Sequence, residues 1–418
     1  MKRNVPIVSM LVLLLGSWSV AGDWPRWRGP EGTGHVPAGV AVPKTLPSEV
    51  RVVWRKRIGA GLGSPVVSGG KVFYLDRQDD QETVQAAEAA SGKELWSAPL
   101  DKIFKDAQSG PGPRGTPTAD GQRVYVQSCR GEFQCLGAAD GKVIWRVNFV
   151  KDFGAVFIGE RGLAAGASRH GYTGSPVVDG DRIFVGVGGR SGASVVCFDK
   201  ADGRVIWKSQ NDIPGHSGPV VATIAGVKQV VSFAAEAVIG LDAGKGTLLW
   251  RVPVRTRLGR HVTTPVVVGD MVLVASYQAG LIAVRVRREG DAFAAERAWV
   301  SRRWAINFSS PVAVGTHLYG LAPGKTFLCV DVKTGKAAWE KGNFFPGGKG
   351  YASFLVMKDN LLVLAEDGRL MLVAADPKQC RTIATTRVCG RNWCYPAYAD
   401  GKLFLRDARE LRCVKLMP

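Results

Sequence analysis

The chain has 418 residues, of which 52 are glycine and 46% are hydrophobic, with 55 Lys and Arg against 36 Asp and Glu. Glycine without a Gly-X-Y period excludes collagen and signals many tight turns, and this apolar content excludes a mostly disordered chain. The formal net charge of +19 directs attention to anionic partners.

Residues 1–22 read as a secretory signal peptide, with Lys2 and Arg3 ahead of an apolar run from Ile7 to Val20. The run is short of the roughly 20 residues a spanning helix needs, and no later segment is apolar enough to cross a bilayer. The expectation is an exported monomer, periplasmic or extracellular, and export argues against nucleic acid as a partner. Residues 23–49 form a Trp- and Pro-rich strap, expected to pack across the body of the protein through Trp24 and Trp27.

From residue 50 onward the chain repeats. Trp recurs at 54, 96, 145, 207, 250, 299 and 339, and most copies follow a turn: EAASGKELW, AADGKVIW, DKADGRVIW, DAGKGTLLW and DVKTGKAAW. A second landmark, small residue then Ser/Thr/Gly then Pro, opens each unit, as in GSP at 63–65, GTP at 115–117, SGP at 217–219 and SSP at 309–311. ASF at 352–354 and CYP at 394–396 are degenerate copies, which makes eight units. Within a unit, Val/Ile/Phe-rich runs alternate with Gly-Asp, Gly-Gly and Asp-Gly turns, so each unit is four short antiparallel strands. A 40–50-residue period of this kind is a propeller blade, and the chain reads as an all-β, eight-bladed propeller over 50–418. The last unit stops after three strands. RVVWRKR (51–57) is a strand without a hairpin before it and is expected to complete the last blade, closing the ring.

The five turn–Trp segments resemble those of the pyrroloquinoline-quinone (PQQ)-repeat propellers, the quinoprotein alcohol dehydrogenase-like superfamily. The resemblance implies that Trp54, Trp96, Trp145, Trp207, Trp250, Trp299 and Trp339 dock between blades. Blade 7 departs from it, with Ile383 or Ala384 where Trp would fall. The superfamily contains dehydrogenases and outer-membrane assembly scaffolds, so the resemblance implies fold and leaves activity open.

The repeat also sorts the eight cysteines. Cys135, Cys197, Cys329 and Cys413 occupy one third-strand slot that other blades fill with Ala86, Gly240 or Ala283, Leu372 being the outlier. The slot selects small residues, and Cys serves there as a compact hydrophobe. Cys129, Cys380, Cys389 and Cys394 remain. Cys389 and Cys394 bracket one inter-blade loop and are expected to form a disulfide in an exported protein.

In a propeller, the loops entering each innermost strand converge around one mouth of the central channel, where ligands bind. Here those loops carry Arg114, His170, His216, Arg260, His261, Asn307, Lys349, Tyr351 and Trp393, with Asp212 the nearest carboxylate. The expected ligand is an anionic or polar molecule, an acidic protein or an envelope component. Arg and Lys would supply charge complementarity, Tyr and Trp stacking surface. The 146–173 insertion between blades 2 and 3 is either a flap over this mouth or a packed extension of the blade connection. A PQQ-dependent dehydrogenase of the periplasm is the alternative function, but adjacent cysteines, an Asp base and acidic Ca²⁺ ligands are missing. The leading expectation is a binding or scaffold propeller without metal or confidently assigned cofactor.

Overall fold

The computed structural model describes residues 22–105, 110–159, 165–189 and 191–417, so the signal peptide expected at 1–22 lies outside it apart from Gly22. Eight four-stranded antiparallel sheets follow one another around a ring. Seven are formed by consecutive strands. In the eighth, the N-terminal strand Arg51–Arg57 pairs with Glu410–Lys415, outside Lys402–Arg406 and Ala397–Ala399. The closing strand pairs from Arg51 opposite Lys415 to Arg57 opposite Glu410, with a one-residue register shift between Val52 and Trp54. The two ends of the chain are thereby hydrogen-bonded into one blade, as the unit count predicts.

The recurrent turn and its Trp form one packing device. The indole N–H of Trp54 donates to the Ala89 carbonyl at 2.9 Å, Trp96 to Ala138 at 3.2 Å, Trp145 to Lys200 at 3.2 Å and Trp207 to Ala243 at 3.2 Å. Trp299 and Trp339 likewise reach Val332 and Asp376 at 2.9 and 2.8 Å. Each acceptor belongs to the turn of the following blade. The turn glycines Gly92, Gly141, Gly203, Gly246 and Gly335 have φ between 70° and 75°. A Cβ on any of them would come within 2.5–2.7 Å of the docked indole. Glycine is thus required twice, for the left-handed turn and for the ring lying on it.

The small-residue slot has the same origin. Ala86, Cys135, Cys197, Gly240, Ala283, Cys329 and Cys413 each sit directly across from a Trp on the neighbouring strand. Leu372, the outlier, faces Ala384, so blade 7 reverses large and small at the same position. This exchange accompanies a missing ledge. The outer two strands of blade 8 come from opposite ends of the chain and have no turn between them for a blade 7 Trp to rest on. Strap residues fill in instead, with Val36, Val40 and Val42 packed against the same core as Ile383 and Ala384.

Trp250 departs from the inter-blade pattern. Blade 5 joins its outer strands by a long hairpin paired out to Glu289 and Ala292, and the repeated turn is absent. Trp250 lies over its own blade's Gly240 and donates to Gln229 Oε1 at 2.6 Å. Gly203→Ala is expected to destabilise by ~2 kcal/mol, from a positive φ and the clash with Trp145 together. Gly180→Ala, where φ is 62° but a Cβ meets nothing within 4 Å, isolates the first contribution. Equal melting temperatures for the two variants would refute the docking argument.

The strap crosses the end of the ring opposite the mouth. Trp24 exchanges backbone hydrogen bonds with Val67 of blade 1, Pro25 accepts from Ala119 of blade 2, and Arg26 donates to Val178 of blade 3. Trp27 donates to Thr264 of blade 5 and Arg28 to Pro311 of blade 6. Gly34 and Val36 bond Val356 of blade 7, and Ala41 accepts from Tyr398 of blade 8. In the insertion, the short helix Phe149–Phe153 buries Phe149 against Phe133 and Tyr172, and a second short helix, Gly166–His170, carries His170 to the mouth.

The Cys389–Cys394 disulfide expected from the loop is not formed. All eight cysteines are free; the Cys394 thiol donates to the Leu62 carbonyl, and Cys389 Sγ accepts from the Asn392 amide. Cys389 faces into the blade 7–8 core, and the two side chains take separate partners.

Candidate functional site

The opening landmark of each blade has a structural purpose that leads into the site. In blades 1, 2, 3 and 6 its middle hydroxyl accepts the backbone N–H of the corresponding residue in the preceding blade. Ser64 accepts from Tyr395 at 2.9 Å, Thr116 from Ser64 at 3.0 Å, Ser175 from Thr116 at 3.3 Å and Ser310 from Thr264 at 3.0 Å. These links ring the channel and fix where each mouth loop starts. Blade 4 has glycine at this position, Gly218, because a Cβ there would come within 2.6 Å of the Ser175 carbonyl.

Above this ring lies a cavity of about 240 Å³. Arg114, His170, His216, Arg260, Tyr351 and Trp393 line it, so six of the nine sequence-predicted residues converge. Its two sides differ. Blades 2–5 supply Arg114, His170, His216, Ser217 and Arg260; blades 6–8 supply Phe308, Tyr351 and Trp393. Trp27 reaches up the channel from the strap to form part of the lining, with its ring 4.5 Å from that of Tyr395.

On the basic side, Arg114 donates to the His170 carbonyl at 2.6 Å and lies over the Phe104 ring. Arg260 lies over the Tyr277 ring at 5.0 Å. The His170 and His216 rings are 5.6 Å apart. Burial, followed by the proximity of His170, Arg114, Arg260 and His261, pushes the His216 pKa down to about 3, so its imidazole is neutral. On the aromatic side, Tyr351 and Trp393 stack at 5.9 Å with an interplanar angle of 13°, and Phe308 lies 5.7 Å from Trp393.

Three predicted residues fall outside the lining. His261 is fully buried, stacked on Phe233 at 4.1 Å, with Nε2 donating toward the Ala235 and Val254 carbonyls. It braces the blade 4 and blade 5 loops and does not face the mouth. Lys349 projects to solvent while its backbone N–H donates to Glu366, and half-buried Asn307 lies beside the cavity wall. Conversely, Phe308 and Ser217 line the cavity without having been singled out in the sequence, and Trp27, expected to pack the strap across the body, lines it as well.

The nearest acid is also different from the one expected. Asp212 is engaged by Arg251 at 2.7 and 2.8 Å. Fully buried Glu366 instead accepts from Arg391, from the Trp393 indole at 3.2 Å and from the Lys349 backbone. It holds the aromatic wall in place from behind. Asp76 and Asp407 do the same for other mouth loops, accepting from the Gly59 and Gly390 N–H groups.

The residues present do not fit a PQQ–calcium centre. Calcium takes six to eight oxygens, several of them carboxylate. Among the described residues no Asp or Glu lines the cavity, and no group of three His, Cys, Asp or Glu could hold a metal ion. Two arginines on the cavity wall oppose any cation there.

Comparison with known proteins agrees with the repeat. A family model described as outer membrane protein assembly factor BamB matches residues 47–101 and 80–341. The outer membrane protein assembly factor BamB of Yersinia pestis is 28% identical over 264 residues, spanning 56% of this chain and 58% of that protein. That of Moranella endobia is 23% identical over 386 residues, covering 85% of this chain and 87% of the relative. Among solved structures, BamB from Moraxella catarrhalis superposes with a TM-score of 0.58 at 15% identity, covering 88% of this chain and 97% of that one. Quinohemoprotein alcohol dehydrogenase from Comamonas testosteroni superposes with a TM-score of 0.64 at 13% identity, covering 94% and 80%. At such identities the structural likeness speaks for the fold. With eight four-stranded blades, most of them docked through the recurrent Trp, and a family match across more than half its length, the chain belongs to the BamB family of PQQ-repeat β-propellers.

Proposed function

We propose that this chain is an exported scaffold of the cell envelope that binds a partner's anionic group at its mouth and catalyses no reaction of its own. One observation carries the reading: Arg114, Arg260 and a neutral His216 share one wall of a cavity whose described lining residues include no carboxylate. The family match supports a role in outer-membrane protein assembly, and the aromatic wall offers the apolar surface that partner recognition uses. No described helix is long and apolar enough to cross a membrane, so envelope attachment through this part of the chain would run through partners.

The test is a photo-crosslinking residue at Phe308, which is 42% exposed on the rim, in the full chain expressed in cells. Crosslinks to an envelope protein are expected. Reversing both charges, Arg114→Glu with Arg260→Glu, is expected to reduce them at least about tenfold, since two like charges at contact distance differ from two opposite ones by more than ~1 kcal/mol even in water. Circular dichroism checks that the double variant is folded. Undiminished crosslinking would refute the site, and dye reduction by purified protein supplied with PQQ and Ca²⁺ would refute the non-catalytic reading.

A further inference from the structure

Blade 4 is one of the places where the hydroxyl links around the channel are broken, because Gly218 carries no side chain to accept a hydrogen bond. Beside that interruption, both ring nitrogens of His216 and the hydroxyl of Ser217 are buried with no hydrogen-bond partner. His216 is 9% exposed, and both residues line the cavity. Buried polar atoms are normally satisfied, and a cluster left over on a cavity wall marks where a ligand completes the set. The adjoining arginines set the sign of that ligand's charge, and the facing aromatic wall sets the character of the rest of it.

We propose that the cavity binds a small aromatic carboxylate, with the carboxylate on His216 and Ser217 between Arg114 and Arg260 and the ring against Trp393 and Trp27. This rests on the reading of the mouth as an anion-binding site and adds the chemistry of what binds. A neutral imidazole N–H and the Ser217 hydroxyl donate to the two carboxylate oxygens, and the guanidinium groups supply the balancing charge. The stacked Tyr351–Trp393 pair presents a flat face at the height of the channel, and Trp27 closes the space below. About 240 Å³ bounded by that floor admits a single ring with its acid group and excludes a folded segment. A bare oxyanion would satisfy the basic wall and leave the aromatic wall wet.

Binding is coupled to a proton. Among the described residues, the charged and titratable groups facing His216 are Arg114 from the blade 2 loop, His170 from the helix Gly166–His170, and Arg260 and His261 from the blade 5 loop. All are basic, and together with burial they keep the free imidazole neutral. A bound carboxylate reverses the local field and favours imidazolium, so affinity rises as the pH falls toward 5.

Calorimetry with benzoate, benzamide, acetate and inorganic phosphate on the full mature chain tests this. One benzoate per chain is expected, at least tenfold tighter than acetate, benzamide or phosphate, with proton uptake visible as buffer-dependent heat. His216→Ala and Ser217→Ala are each expected to weaken benzoate at least fivefold, Ser217→Ala without shifting thermal unfolding, the second variant serving if the first fails to fold. Benzamide or phosphate binding as tightly as benzoate would overturn the proposal, as would affinity unchanged in the folded variants. Absence of benzoate binding with the Phe308 crosslinks intact would overturn the ligand assignment alone; loss of both would overturn the mouth site itself.

Discussion

A chain beginning at Ile58, without the strap and without the strand Arg51–Arg57, is expected to be insoluble, whereas one beginning at Glu49 is expected to fold with a lowered melting temperature. The difference is the closing strand. It supplies six register pairs to Glu410–Lys415 and carries Trp54, which covers Cys413 and docks on the blade 1 turn at Ala89 and Gly92. Truncating a buried Trp alone costs about 3–5 kcal/mol, and whole-domain stability is only about 5–15 kcal/mol. Removing the strand also bares a long unpaired edge beside the buried side chains Leu411, Cys413 and Val414, which invites association with other chains. Losing the strap alone removes the buried Trp24, Arg28 and Leu46 but leaves the ring closed. Soluble yield and the cooperativity of thermal unfolding separate the two outcomes. A soluble, cooperatively melting chain that begins at Ile58 would show that the ring closes by side-chain packing without the strand.

The ring was legible in the sequence because its requirements recur. A left-handed turn glycine, a Trp and a small cross-strand partner are local demands repeated blade after blade, and counting strands in the last unit located the closing strand. Exceptions were visible as exceptions, but their causes were not. Leu372 stood out as too large for its slot, and only the pairing with Ala384 shows the exchange of sizes. Trp250 looked like its siblings, and its different partner follows from a hairpin in the next blade.

The mouth was legible at the level of loops and less so at the level of side chains. Topology alone brings eight loops to one end, which is why Arg114, His216, Arg260 and Trp393 were found. Whether a loop residue faces the channel depends on its neighbour. His261 follows Arg260 directly and turns the other way, onto Phe233. Trp27 sits in an aperiodic strap that carries no register to place it, and Glu366 lies at the end of a strand that the pattern assigns to the blade and not to its mouth. A search for acids one strand further on would have found it.

Thermal stability is expected to peak near pH 6.5 and to fall on the acid side more steeply than on the basic side. Burial lowers the pKa of His216 to about 3 and of His261 to about 4, so both fold as neutral imidazoles. Unfolded histidines take up protons near pH 6.5, which the native state refuses; stability is therefore present above pH 6.5 and lost as the pH falls through the folded values. At about 1.4 kcal/mol per unit, His216 contributes up to ~5 and His261 up to ~3 kcal/mol. Glu82 acts in the opposite sense. Burial, opposed by the Cys129 N–H it accepts, raises its pKa from 4.5 to about 7. The protonated carboxyl suits the interior, so its contribution is complete below pH 4.5 and is lost as the pH rises through 7, amounting to ~3 kcal/mol. Between pH 4.5 and 6.5 two histidines outweigh one glutamate, and stability still rises with pH; above 6.5 only the glutamate remains and the curve turns down. Glu82→Gln removes that downturn. The variant is expected to melt a few degrees above the parent at pH 8 and level with it at pH 4. A variant that melts below the parent by the same amount at both pH values would show that Glu82 acts through its hydrogen bond to Cys129 and not through its charge.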